Sequence, residues 1–243
     1  MLDSGVFESF WRDDRKWTFG EYRRSLPGVD SDFYFGFDYP VSQQMNEKHF
    51  AKLTIDNIVR SASLLDRSQF VPIIHGITPN HLASLVRQTV AKHPELCKVL
   101  AVSERDCGST ITERARTILR MRQILDREDE HIVLHILGCG DPLSIALFSY
   151  CGADMFDSLD WTKFAFDRNE LRMVDFSQLE LLHCTCKVCS KRMRDPVSTT
   201  LLHNLLFYQD FVMRVQTMIK MNTLDDFLIE FVGKTITRRI RLA

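Results

Sequence analysis

Phe70-Val71-Pro72-Ile73-Ile74-His75-Gly76-Ile77-Thr78-Pro79 is the stretch that decides how this chain folds. An apolar run that stops on His75-Gly76 has the length and composition of a buried strand. Thr78-Pro79 then opens an amphipathic segment, Asn80 to Lys92. Threonine can accept a free amide of the first helical turn, and proline tolerates that turn because its missing N–H would have had no partner there. Strand, short turn and helix follow one another within about 25 residues, the scale of one β-α unit.

The same unit recurs on both sides. Asp32 to Asp38 is an aromatic run closed by an aspartate, and Glu47 to Leu65 carries Phe50, Leu53, Ile55, Ile58, Val59, Ala62 and Leu65 at helical spacing. Lys98 to Val102 precedes the helical stretch Thr110 to Leu125. His131 to Leu137 runs into Gly138-Cys139-Gly140-Asp141-Pro142, followed by the helix Leu143 to Cys151 and the short strand Ala153 to Asp157. Leu2-Asp3-Ser4-Gly5 reads as the end of one more strand. Alternating strands and helices predict a parallel sheet.

Polar residues stand at successive strand ends: Asp3, Asp38, His75, Ser103 or Glu104, and Asp157. One aspartate at a strand end often only caps the next helix. Several collected from different strands are the pattern of a (β/α)8 face. Neither G-x-G-x-x-G nor G-x4-G-K-[ST] occurs, so the phosphate-cradling loops of doubly wound folds are missing. The expected class is therefore α/β, of the (β/α)8 TIM-barrel type.

A second pattern lies in His183-Cys184-Thr185-Cys186-Lys187-Val188-Cys189, with His203 fourteen positions after the last cysteine. C-x-C-x2-C gives three thiolates in reach of one ion, and one imidazole closes a tetrahedral set with no open position. The expected ligands are Cys184, Cys186, Cys189 and His203, holding a structural Zn2+. His183 is the competing fourth ligand, awkward because it adjoins Cys184. Reduced core cysteines are the alternative, and the neighbouring lysines and arginines argue against it.

The chain has 243 residues, 45% hydrophobic, with 31 basic and 32 acidic side chains. That is enough for a substantial core, and the charge balance disfavours non-specific coating of nucleic acid. There is no apolar run of about 18 residues and no signal-peptide layout at Met1. The expected setting is cytoplasmic, without a membrane, and with Cys97, Cys107, Cys139 and Cys151 reduced.

Carboxylates converging over a pocket suit displacement at a sugar carbon, where one ionised aspartate attacks and another handles protons. Asp157 is the expected nucleophile, placed by Met155-Phe156 at the rim of an apolar pocket.

L-D-S-G at Leu2 to Gly5, F-G-F-D at Phe35 to Asp38, H-I-L-G-C-G-D-P at His135 to Pro142, G-A-D-M-F-D-S at Gly152 to Ser158, and the cysteine cluster with H-N-L at His203 to Leu205 occur in this order. Together they resemble the tRNA-guanine transglycosylases. Leu179 to Ser190 and Phe156-Asp157-Ser158 are closer to the archaeosine-type branch than to the queuosine-type one. The resemblance implies a pentosyltransferase that exchanges guanine in a nucleic acid, tRNA or DNA, for a 7-deazaguanine base such as 7-cyano-7-deazaguanine. It implies that Asp157 is the nucleophile, that Asp3 handles the proton, and that Asp38 reads the purine edge, with Ser4, His75 and Gly76 also on the substrate side. Tyr34, Phe37 and Tyr39 are candidates for base stacking, because such an enzyme takes its base out of the stack.

The sequence departs from the family at His75-Gly76, where glutamine-glycine is usual, and at Ala101-Val102-Ser103, where a glycine pair is usual. The interval from Cys189 to His203 is also shorter. The barrel is expected to lack its first strands, as in a fragment or truncated gene. The expected organisation is a partial barrel at 1–175, a zinc segment with its closing helix at 176–222, and a basic tail at 223–243. A catalytically silent partner subunit, in a homodimer or mixed assembly, is the alternative, and a nucleic-acid-binding zinc protein without catalysis is the third reading.

Overall fold

The computed structural model describes residues 1–6, 17–38, 45–191 and 195–241. The backbone divides into two compact units, Met1–Leu137 with Gly152–Met155, and Gly138–Cys151 with Phe156–Ala243. Tyr39, a stacking candidate, lies outside the described residues.

The first unit is built of parallel strands, in a two-stranded and a four-stranded sheet, with helices between them. Leu2 bridges Tyr34 in parallel, and β1 (Tyr34–Phe35) pairs in parallel with β2 (Phe70–Val71). After Pro72 the same chain segment continues as β3 (Ile73–Ile74), which pairs with β4 (Val99–Ser103), and β4 pairs with β5 (Val133–Leu137). Pro72 has no N–H to give to a ladder, but its carbonyl accepts from Ala101 N at 3.0 Å. One strand thus serves two neighbours on either side of a proline. At the far edge Asp154 N donates to Leu134 O (2.9 Å) and leads into β6 (Met155–Phe156). Among the described residues neighbouring strands follow chain order, with no reversal such as doubly wound sheets show.

Between the strands run α1 (Phe19–Ser25), α2 (Glu47–Ala62), α3 (Pro79–Lys92) and α4 (Ile111–Leu125). Each begins as its sequence directs. Thr18, Asn46, Thr78 and Thr110 accept amides of their helices' first turns, and Thr18 forms a full capping box with Glu21. The expected helices at Asn80 to Lys92 and Thr110 to Leu125 match to within a residue or two. α1 was not expected from the sequence.

Strand parity sorts the core. Phe35, Val71, Ile73, Val99 and Ala101 form one buried cluster, with Phe33, Val133 and Leu137 packed against it. Leu100 and Val102, of opposite parity, are also fully buried, as both faces of a helix-covered parallel sheet must be. Two residues beyond Ile73 on the same parity stands His75. A second cluster, Val6, Phe19, Tyr22 and Phe37, fixes the segment after β1. Tyr22 OH donates to Phe35 O (2.8 Å), Ser61 Oγ accepts from Phe37 N (3.2 Å), and Asn57 Nδ2 donates to Phe37 O.

The second unit contains α5 (Pro142–Tyr150), capped by Asp141, and the antiparallel hairpin β7 (Phe164–Phe166) with β8 (Met173–Asp175). A 3-10 helix, Phe176–Leu182, ends at His183 in a left-handed conformation, and the chain enters the cysteine segment. Three helices complete the unit: α6 (Pro196–Lys220), α7 (Leu224–Val232) and α8 (Lys234–Arg241). Asp195 caps α6 by accepting from Val197 N and Ser198 N, with Pro196 in the first turn. Phe207 stacks on Phe166 and on Phe211, with ring centroids 5.5 Å apart in both pairs. Among the described residues no helix is long and apolar enough to cross a membrane.

Candidate active site and metal centre

In the second unit the sulfurs of Cys184, Cys186 and Cys189 stand 3.5, 3.6 and 3.4 Å from His203 Nδ1. A tetrahedral ion with metal–sulfur bonds of about 2.3 Å and a metal–nitrogen bond of about 2.0–2.1 Å puts each sulfur about 3.5–3.6 Å from the nitrogen. The sulfur–nitrogen distances match that requirement, and all four atoms lie within 4.8 Å of one another.

The surroundings prepare the same arrangement. His203 is fully buried within α6, and its Nε2–H donates to Phe166 O at 2.8 Å, which leaves Nδ1 as the lone pair. Asn204 secures the register between α6 and β7, donating to Trp161 O (2.7 Å) and Phe164 O (2.6 Å) and accepting from Phe166 N (3.2 Å). Burial pushes the Cys189 thiol up to about 12, and the neighbouring sulfurs add to that. Burial also opposes ionisation of Cys186, but the Cys189 amide and His203 bring it down to about 6. Three sulfurs and one imidazole nitrogen with no open position are a donor set that fits a structural metal ion. His183 is not one of the four.

The first unit carries a different cluster. Ser4 Oγ donates to Asp38 Oδ1 (2.7 Å), His75 Nε2 meets Asp38 Oδ2 (2.8 Å), and His75 Nδ1 meets Asp106 Oδ2 (2.7 Å). These groups come from the ends of parallel neighbours: Ser4 after the Leu2 bridge, Asp38 after β1, His75 after β3, and Asp106 in the 3-10 turn Glu104–Cys107 after β4. The side chains of His75, Asp38 and Asp106 are 15, 11 and 16% exposed, enough for a ligand to reach an edge but not for water to screen the charges. Burial works against a charge on His75, yet the hydrogen bonds and charges of Asp106 and Asp38 raise it to about 10. Asp3 is exposed, and its Oδ1 accepts from Ser4 N at 2.8 Å.

Gly5 and Gly76 are required by space. A Cβ on Gly5, at φ +78, would lie 2.8 Å from the Trp17 indole nitrogen, which donates to Ser4 O at 2.7 Å. A Cβ on Gly76 would lie 2.4 Å from that of Leu82 in the first turn of α3. Gly76 thus lets the strand end rest on the helix that follows.

Asp106 was missed in the sequence. Ser103 or Glu104 was the expected polar end of this strand; Ser103 is buried, and Glu104 accepts from Arg114 Nη1 at 2.8 Å. A helical turn directly after β4 advances the chain to Asp106, and nothing in the strand pattern announces that turn. In the second unit Asp157 is exposed, and its Oδ1 accepts from Gly138 N at 2.9 Å.

The sequence model of the family described as queuine tRNA-ribosyltransferase matches residues 14–236. Three similar proteins carry the name tRNA-guanine(15) transglycosylase. That of Methanopyrus kandleri is 25% identical over 206 residues, 81% of this chain and 44% of its own. That of Archaeoglobus fulgidus is 28% identical over 159 residues, 54% of this chain and 32% of its own. That of Methanococcus maripaludis is 30% identical over 112 residues, 40% of this chain and 17% of its own. The chain spans less than half the length of these relatives.

Proposed function

The chain belongs to the queuine tRNA-ribosyltransferase family, and from that premise we propose that it exchanges guanine in a nucleic acid for a 7-deazaguanine base. The observation that carries this reading is the gathering of Ser4, Asp38 and His75 by hydrogen bonds at the C-terminal ends of parallel strands, next to Asp3. That end of a parallel α/β sheet is where such folds bind and transform substrates. The chain-order sheet supports a (β/α)8 barrel as the architecture.

In the proposed mechanism a carboxylate oxygen of Asp157 attacks the anomeric carbon, the glycosidic bond to guanine breaks, and a sugar–enzyme ester remains. Asp3 supplies the proton that the departing base takes up and later removes one from the incoming base. Asp38 accepts hydrogen bonds from the purine edge. Ser4 and His75 hold Asp38, and Gly76 provides the close strand–helix packing behind them. A 7-deazaguanine such as 7-cyano-7-deazaguanine is the proposed incoming base, since it keeps guanine's N1 and N2 donors. The names of the similar proteins favour RNA as the polymer, and DNA is the alternative.

Cys184, Cys186, Cys189 and His203 would hold zinc. The ion would cross-link the 3-10 segment to α6 and take no part in the exchange, because four protein ligands leave it no open position.

Incorporation of labelled guanine into tRNA, duplex DNA and single-stranded DNA, compared side by side, tests the proposal. Exchange into one of them, lost in Asp157→Asn with folding and metal content intact, is the expected result. No exchange into any polymer leaves the silent-partner reading in its place.

A further inference from the structure

A neutral imidazole carries one N–H and one lone pair. His75 faces a carboxylate oxygen at each nitrogen, 2.7 Å from Asp106 and 2.8 Å from Asp38. A lone pair pointed at an ionised carboxylate would be repelled, so both contacts are satisfied together when the ring carries two protons. The carboxylates come from different strand ends, which makes the contact a product of the fold and not of neighbouring residues.

Two consequences follow for His75. Both of its polar atoms are engaged, so the ring has none left with which to read a base. Asp38, by contrast, receives Ser4 Oγ on one oxygen and His75 on the other and keeps a further lone pair on each. A carboxylate pinned in this way presents two adjacent acceptors, the complement of the N1–H and N2–H pair on guanine.

We propose that Asp106 is a positioning residue: by holding His75 as a doubly protonated ring between two strand ends, it fixes Asp38 as a charged, oriented acceptor for a base with two neighbouring donors. The proposal rests on the functional reading above for the identity of the base, while the state of His75 can be measured without it. Among the described residues, the charged groups facing the ring are Asp38 and Asp106. Removing the Asp106 charge leaves one carboxylate partner. At mildly alkaline pH the ring then releases a proton, and the hydrogen bond to Asp38 ceases to be charge-assisted.

The test uses the full chain, 15N-labelled, with His75→Gln identifying the His75 resonances. The imidazole nitrogens of the parent should both be protonated at pH 8. Asp106→Asn, nearly isosteric, should lower the titration midpoint by a unit or more, and Asp106→Glu should largely restore it. Calorimetry at pH 8 forms the second arm. Asp106→Asn should weaken guanine binding about tenfold and erode the preference for guanine over hypoxanthine, which lacks the N2 donors. In the His75→Gln background Asp106→Asn should change neither property, which separates positioning from general loss of structure.

A parent ring that is neutral at pH 8 overturns the proposal. So does an Asp106→Asn variant whose His75 titration and base preference match the parent's. A parent that binds no guanine, with the ring responding as expected, overturns the functional reading and the base-facing half of the proposal together and leaves the charge arrangement standing.

Discussion

His75 and His203 are both held by short contacts at two ring nitrogens, yet their surroundings call for opposite remedies. His75 lies between two carboxylates that the chain itself supplies, so a proton on the ring balances the charge. His203 turns Nε2 to a backbone carbonyl and Nδ1 toward three sulfurs, a set that could hold a metal ion. The first cluster balances its charge with its own residues, and the second has the donor set to hold an ion. The identity and count of the neighbouring donors decide which, not the histidine.

The comparison breaks most visibly on metal removal. Structural zinc sites contribute folding free energy outright, so chelation or Cys186→Ala should lower the melting temperature of the second unit by roughly 10 °C or more. The first unit, followed by a probe at Trp17, should change far less. A metal assay showing no zinc per chain would end the contrast.

Removing the other histidine should cost less. His75→Ala leaves Asp38 and Asp106 without their shared cation and should destabilise the first unit by about 3 kcal/mol, at the lower end for a buried pair because both carboxylates keep some exposure. Chemical denaturation of His75→Ala and His75→Gln would check this, with the glutamine variant expected to lose less than the alanine.

The pH dependence has a definite sign. His75 is raised to about 10 in the folded chain, by Asp106 and Asp38 against the opposing effect of burial, from about 6.5 when unfolded. Its contribution is therefore complete below about pH 6.5 and is lost as the pH rises toward 10. Melting temperatures at pH 7, 8.5 and 10 should fall for the parent and fall less for Asp106→Asn.

The smallest effect concerns thiols. Burial pushes Cys97 and Cys151 up to about 12 and raises Cys107 as well, so these should resist alkylation in the native protein. Three further thiols, Cys184, Cys186 and Cys189, should become reactive on chelation. Mass mapping of the alkylated sites would show whether that set is the one released.

The gathering of Cys184, Cys186, Cys189 and His203 was legible because spacing alone brings two of the cysteines together, and a helix places His203 as one rigid element. The strand–helix alternation was legible from apolar runs and from the cap at Thr78. Two kinds of feature were not. The β7–β8 hairpin turns on Leu171 at φ +51, a position where no glycine or asparagine signals a left-handed turn. Asp106 enters its site through a 3-10 turn and a partner 31 residues away, and strand periodicity says nothing of either. Asp38 and His75 were nameable singly, whereas their mutual hydrogen bond depends on how the ends of β1 and β3 come together in the fold.

The most direct measurement is a covalent trap. The protein is incubated with guanine-containing tRNA or DNA without any incoming base, then denatured and analysed by mass. A sugar–enzyme ester on the peptide containing Asp157, absent from Asp157→Asn, is the predicted result. An Asp157→Asn variant that forms the same adduct, or a metal-loaded parent that forms none on any polymer, would contradict it.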